Sequence, residues 1–437
     1  MIYKDYWLLC KMKTKKINDI LKEVSREINP SKEDINEINE SLDYFLKKIR
    51  SNIKKSKTDA EIFLGGSFAK NTMVKTKEYD IDIFIRFGKK HKDISKLTER
   101  LLKGIKKTKI HGSRDYFKIH TKSNFYIEVI PVMKVKNPRE AENITDLSYS
   151  HVNYIRKKIK SEKILSDVRI AKVFCHASEC YGAESYIRGF SGYGLELLVY
   201  YYKGFLNFIK AMTKIDKTLV IDIEKHFKNR QQVLMDLNES KLQSPIILID
   251  PTYKNRNALA ALSWETFEKF KKTCKEFLKN PNLKYFYKEA KNLREISEKE
   301  KKKGVDSTVI RARTEKQSGD IAGSKLLKFY RHLSNEISEY FKIKKSDFDY
   351  DGKNTGTLLF AVESKKEILI EGPKASDKKN VSRFKKRHKK TLVKKGRICS
   401  KEKIDFRLNE FLKSWKNKNK KKMKEMSIID IELIQIP

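Results

Sequence analysis

A chain of 437 residues is too long for one hydrophobic core and implies about three domains. Its 98 Lys and Arg against 57 Asp and Glu leave a formal net charge of +41, which argues against cationic partners and for a polyanion, above all nucleic acid. Five cysteines at irregular spacing, with no Cys-x-x-Cys pair, argue against a zinc site or redox motif, and Cys175-His176 and Cys180 read as buried thiols and a neighbouring histidine. The apolar run Tyr6 to Cys10 is too short for a signal sequence or a membrane span, so a cytoplasmic protein is expected, with Met12 as a second candidate start.

In chain order, Pro30-Ser31 followed by Asp34 predicts a helix start, and Ile35, Ile38, Leu42, Phe45 and Ile49 recur at helical spacing behind it. Ile62-Phe63-Leu64 ends a strand and Gly65-Gly66-Ser67 makes a turn that lets the backbone approach an anion. In Asp80-Ile81-Asp82-Ile83, polar and apolar residues alternate with strand period, so both carboxylates share one face, roughly 6.6 Å apart at the backbone. That spacing suits divalent cations. Taken singly, Gly-Gly-Ser is an ordinary turn and Asp-x-Asp the wet face of an edge strand. In this order, with twelve residues between Ser67 and Asp80, they resemble the signature of the nucleotidyltransferase superfamily, which includes DNA polymerase beta and poly(A) polymerases.

Further on, 95–107 read as an amphipathic helix, and Tyr116 to His120 and Asn124 to Ile130 as two strands. Glu128 is the one acid in the second of these, expected to lie antiparallel to the Asp80 strand; either a shared cation or a salt bridge to a lysine would explain its burial. From His151 the pattern turns helical, with stretches 167–175 and 194–212. They are joined by 181–193, a junction rich in glycine and tyrosine. That junction with Glu196-Leu197-Leu198, together with Asp250-Pro251, Arg256-Asn257, 260–263 and 356–373, resembles the archaeal (class I) CCA-adding enzymes, tRNA nucleotidyltransferases that build or repair the 3′-terminal CCA. The likeness runs from about residue 30 to about residue 400.

The resemblance implies an α+β, multidomain fold. It comprises a polymerase-beta-like head with a mixed sheet flanked by helices over 1–145, a mainly helical nucleotide-recognition domain over 146–270, and an α+β body and tail over 271–437. It implies Asp80, Asp82 and Glu128 as metal-binding catalytic carboxylates for Mg²⁺, with glutamate departing from the usual third aspartate. Ser67 and Lys70 fall on the triphosphate-binding positions, Lys70 keeping the charge but not the fork of the more usual arginine. His151, Lys172 and Tyr181 match contacts to the incoming nucleotide, and Arg256 the residue that reads the edge of CTP or ATP.

From Lys378 to Arg397, eleven of twenty residues are Lys or Arg, interleaved with Phe384, Leu392 and Val393; the resemblance gives this region the acceptor stem and T arm of tRNA. The run 428–433 predicts a closing strand. The expected reaction is template-independent addition of CCA from CTP and ATP with pyrophosphate release. The alternatives are a poly(A) polymerase or other RNA 3′-nucleotidyltransferase, or an inactive RNA-binding relative. A homodimer is left open.

Overall fold

The computed structural model describes residues 2–434 other than 113, 122, 289, 290 and 389, with side chains from Met12 onward. The chain forms two compact units, Met1–Glu289 and Ala290–Pro437. After the long helix α1 (Ile2–Ile28), α2 (Lys32–Lys55) opens on a capping box in which Ser31 and Asp34 satisfy each other's backbone donors. Then follow β1 (Ala60–Leu64), the single turn α3 (Gly66–Ala69), β2 (Tyr79–Phe87), α4 (Ile94–Leu101), β3 (Thr108–Ile110), β4 (Tyr116–His120) and β5 (Phe125–Met133). They make one sheet of order β1-β2-β5-β4-β3. Ile81, Ile83, Ile85, Ile127 and Val129 point from it into a core closed by Ile38, Leu42, Phe45 and Ile49 of α2. Each such side chain contributes roughly 1.5 to 3 kcal/mol of burial.

Two expectations need correction here. The strand carrying Glu128 lies parallel to β2, because the chain crosses over through α4, β3 and β4 before returning; its antiparallel neighbour is β4. The helix expected over 95–107 ends at Leu101, with Asp93 as its N-cap and Gly104 at φ +76 in the turn that follows.

The helical part contains α5 (Ser148–Lys158), α6 (Glu162–Ala177), α7 (Gly192–Tyr201) and α8 (Phe205–Met212). The helix expected over 194–212 is therefore two. At the break Gly204 takes φ +126, and a Cβ there would lie 2.5 Å from Asp167 Oδ2. A small sheet follows, in which β6 (Leu219–Asp222) pairs with β7 (Ile246–Asp250) and β7 with β8 (Tyr253–Asn257). The short helices α9 (Arg230–Asp236) and α10 (Glu239–Leu242) sit between β6 and β7, and α11 (Trp264–Lys279) comes after. Packing groups this region differently from the expected ranges. Ile17, Ile20, Val24 and Ile28 of α1, and Cys274, Phe277 and Phe286 beyond residue 270, all join the core built by α6, α7 and α8. The buried Cys175, Cys180 and Cys274 lie in that core as free thiols.

The second unit has α12 (Leu293–Lys302), β9 (Asp306–Thr314), α13 (Asp320–Tyr340), β10 (Phe341–Tyr350), β11 (Thr355–Ser364), β12 (Glu367–Lys374) and α14 (Lys378–Arg387). These are followed by β13 (Thr391–Lys394), β14 (Arg397–Lys403), α15 (Leu408–Lys418), α16 (Lys420–Glu425) and β15 (Ile428–Ile434). Its sheets run β10-β11-β9-β15 and β12-β14-β13, so the segment 356–373 is split between two sheets and β15 closes the first as expected. Among the described residues, no helix is long and apolar enough to cross a membrane.

Candidate active site

The parallel register of β2 and β5 sets Asp82 beside Glu128 and Asp80 beside Tyr126, while β4 places Lys118 next to Glu128 on its other side. Because side chains alternate along each strand, Asp80, Asp82 and Glu128 share the face opposite the isoleucine core. Asp80 is exposed; Asp82 and Glu128 are half-buried. Burial and then the charges of Asp80 and Glu128 push Asp82 up to about 7, against the pull of Lys70. Burial and then Asp80 push Glu128 to about 7, against Lys118. The salt bridge weighed for Glu128 is not made. Among the described residues it has no ion pair, and Lys118 Nζ sits instead 3.3 Å from the centre of the Tyr126 ring.

Three carboxylates that repel one another, none of them ion-paired among the described residues, suit hard divalent cations with oxygen ligands. Among the described residues, no group of three His, Cys, Asp or Glu side chains is gathered tightly enough to grip a metal ion unaided. The fit therefore rests on the shared face, the register and the mutual repulsion. Burial and this repulsion together have a measurable consequence. Asp82 binds its proton more tightly folded than unfolded, so its cost to stability is absent below about pH 4 and grows as pH rises towards 7. Asp82→Asn is thus expected to raise the Tm at pH 8 with divalent cations chelated, and to lose that gain by pH 4; melts at the two pH values read it directly.

Gly65, Gly66 and Ser67 turn the chain at the edge of this face. Gly66 has φ +59, and a Cβ on it would stand 1.7 Å from Asp82 Oδ2, so only glycine lets the turn abut the acid. Ser67 is half-buried in the turn, and its carbonyl accepts from the Thr72 amide at 2.9 Å. Lys70 follows as the cap of α3 and reaches Glu196 Oε2 at 2.7 Å; Lys172, from α6, reaches Oε1 of the same carboxylate at 3.0 Å. The Tyr181 ring lies tilted at 32° against His176 with ring centres 4.2 Å apart, and burial, then Glu196 and Asp80, push its phenol upward.

His151 and Arg256 meet at a second carboxylate. Asp250 Oδ2 lies 2.9 Å from His151 Nε2 and 2.8 Å from Arg256 Nη1, and its Oδ1 accepts from the Tyr193 hydroxyl at 3.1 Å. His151 stacks on Tyr193, centre to centre 4.1 Å, and burial lowers its pKa despite Asp250. All nine expected site residues thus belong to the first unit. Glu196 and Asp250, the two acids that hold the cationic ones, were quoted for their family likeness and not as site residues. Glu196 is a lone acid inside an apolar run, the same signal that marked Glu128, and Asp250 closes such a run.

Comparison with known proteins adds the decisive observation. A CCA-adding enzyme of Nanoarchaeum equitans is 34% identical over 383 residues, 84% of this chain and 89% of that protein. The chain belongs to the CCA-adding enzymes. A family member from Methanocaldococcus jannaschii is 31% identical over 86% of this chain and 85% of its own length. Residues 166–287 match the model of the tRNA nucleotidyltransferase second domain, and 15–154 match that of the Second Messenger Oligonucleotide or Dinucleotide Synthetase domain. The second-domain match of this CCA-adding family member ends at 287, beside Phe286, where its helical core also ends.

Proposed function

We propose that the chain completes the 3′-terminal CCA of tRNA without a template, using CTP twice and ATP once, with Mg²⁺ held by Asp80, Asp82 and Glu128. The observation that carries this reading is the register that seats Asp82 beside Glu128 and against the Gly66 turn. Two divalent ions bound there would lower the pKa of the terminal ribose hydroxyl and steady the departing pyrophosphate. Ser67 and Lys70 take the triphosphate, and Lys172 adds positive charge beside it. Tyr181 offers one hydroxyl, kept protonated by its burial.

His151 and Arg256, tied through Asp250, sit on the base side. A guanidinium fork held on one nitrogen keeps other donors for acceptors common to cytosine and adenine. Arg256→Ala is expected to weaken CTP and ATP by roughly tenfold to a hundredfold and to blur rejection of UTP and GTP, as loss of a charged hydrogen bond does. Competition assays among the four nucleotides measure it; unchanged rejection of UTP removes Arg256 from base reading.

The second unit is the proposed grip on the acceptor stem and T arm. Helix α14 lines a cleft of about 450 Å³ with Lys378, Lys385 and Lys386, and is followed by further basic residues up to Arg397. Within that basic run, Lys389 lies outside the described residues. Replacing Lys385, Lys386, Lys389 and Lys390 by Gln is expected to weaken every tRNA about equally. The slope of log affinity against log salt should flatten by up to about three units, at roughly 0.7 to 0.9 per phosphate contact. Original affinity and slope would mean a merely solvated surface. The reading as a whole is tested by a minihelix of acceptor stem and T arm lacking CCA. It should be extended about as well as intact tRNA, and failure on the minihelix alone would refute that footprint. A tRNA substrate fits a cytoplasmic enzyme.

A further inference from the structure

The lysines beside the triphosphate position are not equivalent. Lys172 Nζ donates to Thr72 O at 3.0 Å, to Thr72 Oγ1 at 2.9 Å and to Glu196 Oε1 at 3.0 Å. An ammonium has three donors, so Lys172 has spent all of them on protein. Lys70 makes one such contact, to Glu196 Oε2 at 2.7 Å, and is half-buried. Thr72 completes the cluster by donating its hydroxyl to Glu196 Oε1 at 2.8 Å. Glu196 and Thr72 are fully buried and Lys172 is 5% exposed.

Burial would raise the Glu196 carboxyl, but Lys70, Lys172 and their hydrogen bonds outweigh it and hold it at about 2. It stays ionised at any working pH. Two ammonium groups on one carboxylate leave one positive charge over, and the side chain with donors to spare is Lys70. Thr72 and Lys70 belong to the turn of the catalytic sheet, whereas Lys172 stands on α6 and Glu196 on α7. The same four groups therefore fix that turn against the helical part.

We infer that Glu196 is a positioning residue for nucleotide transfer, the centre of a buried bracket with Lys172 and Thr72 that aims Lys70 at the triphosphate. Lys172 then supports the triphosphate contact through the bracket. The inference rests on Lys70 taking the triphosphate. Without the Glu196 charge, Lys172 would be a buried ammonium lacking its counter-ion and the bracket would loosen.

The test is steady-state kinetics on tRNA lacking CCA. Glu196→Gln should raise KM for CTP and ATP by the same factor, roughly tenfold to a hundredfold as for a lost charged hydrogen bond, with kcat falling less. Lys172→Met should follow the same pattern. In a Lys70→Ala background Glu196→Gln should add little, because both act on one contact. If the two effects multiply, or if Glu196→Gln lowers kcat with KM unchanged, Glu196 is only a structural carboxylate. If Lys70→Ala itself leaves both KM values unchanged, the triphosphate role falls and the inference with it. Should Glu196→Gln not fold, Thr72→Val removes the hydroxyl that ties Glu196 to Lys172. It should show a smaller rise in both KM values, and unchanged values there overturn the bracket.

Discussion

Asp80→Ala or Asp82→Ala is expected to lower nucleotide incorporation on the order of a thousandfold or more while tRNA binding stays close to that of the parent. The size follows from the proposed metal site: loss of a cation bound there would remove several kcal/mol of stabilisation of the developing charge, and each 1.36 kcal/mol is tenfold in rate. Binding is spared because the grip on RNA is assigned to the basic second unit, whereas these acids lie on the sheet of the first. Near-normal turnover in either variant contradicts the mechanism. The melts described above separate the two roles of Asp82, since Asp82→Asn should be more stable and yet inactive.

Glu128→Gln should lose nearly all activity, about a hundredfold or more, whereas Glu128→Asp keeps a measurable part of it. The pair isolates charge from length. Glutamine is the same size but cannot hold a cation as an anion does, while aspartate keeps the charge on the residue more usual in this family. The register makes the test sharp: Glu128 stands directly beside Asp82, and no lysine closes on it within the described residues. A Gln variant as active as the parent would place the metal elsewhere.

Much of this site was legible in the sequence because strand periodicity is a local property. Alternation in 80–83 and the lone acid at Glu128 were enough to put three carboxylates on the non-core faces of neighbouring strands. Strand direction was not legible. Alternation reads the same in either sense, and only the crossover through β3 and β4 makes β5 parallel to β2. The break between α7 and α8 has a local signal in Gly204, left-handed at φ +126, but the approach of Asp167 to it is a contact that no local pattern encodes. The same holds for α1, whose apolar face from Ile17 to Ile28 shows a helix with one buried side but not that it packs beside α6. Glu196 could have been found because it interrupts an apolar run, and Asp250 because it ends one before Pro251. What could not be read was which cations they hold, because Lys70 lies 126 residues from Glu196 along the chain.

The central claim, that this chain builds CCA on tRNA, is tested most directly by supplying the purified protein with tRNA lacking the three terminal nucleotides, Mg²⁺, and each nucleoside triphosphate singly and together. The account predicts two additions with CTP alone, a third and last when ATP is added, no extension with UTP or GTP, and one pyrophosphate released per step. A run of adenylates that continues past one residue, or no extension of a tRNA that the protein demonstrably binds, would contradict it.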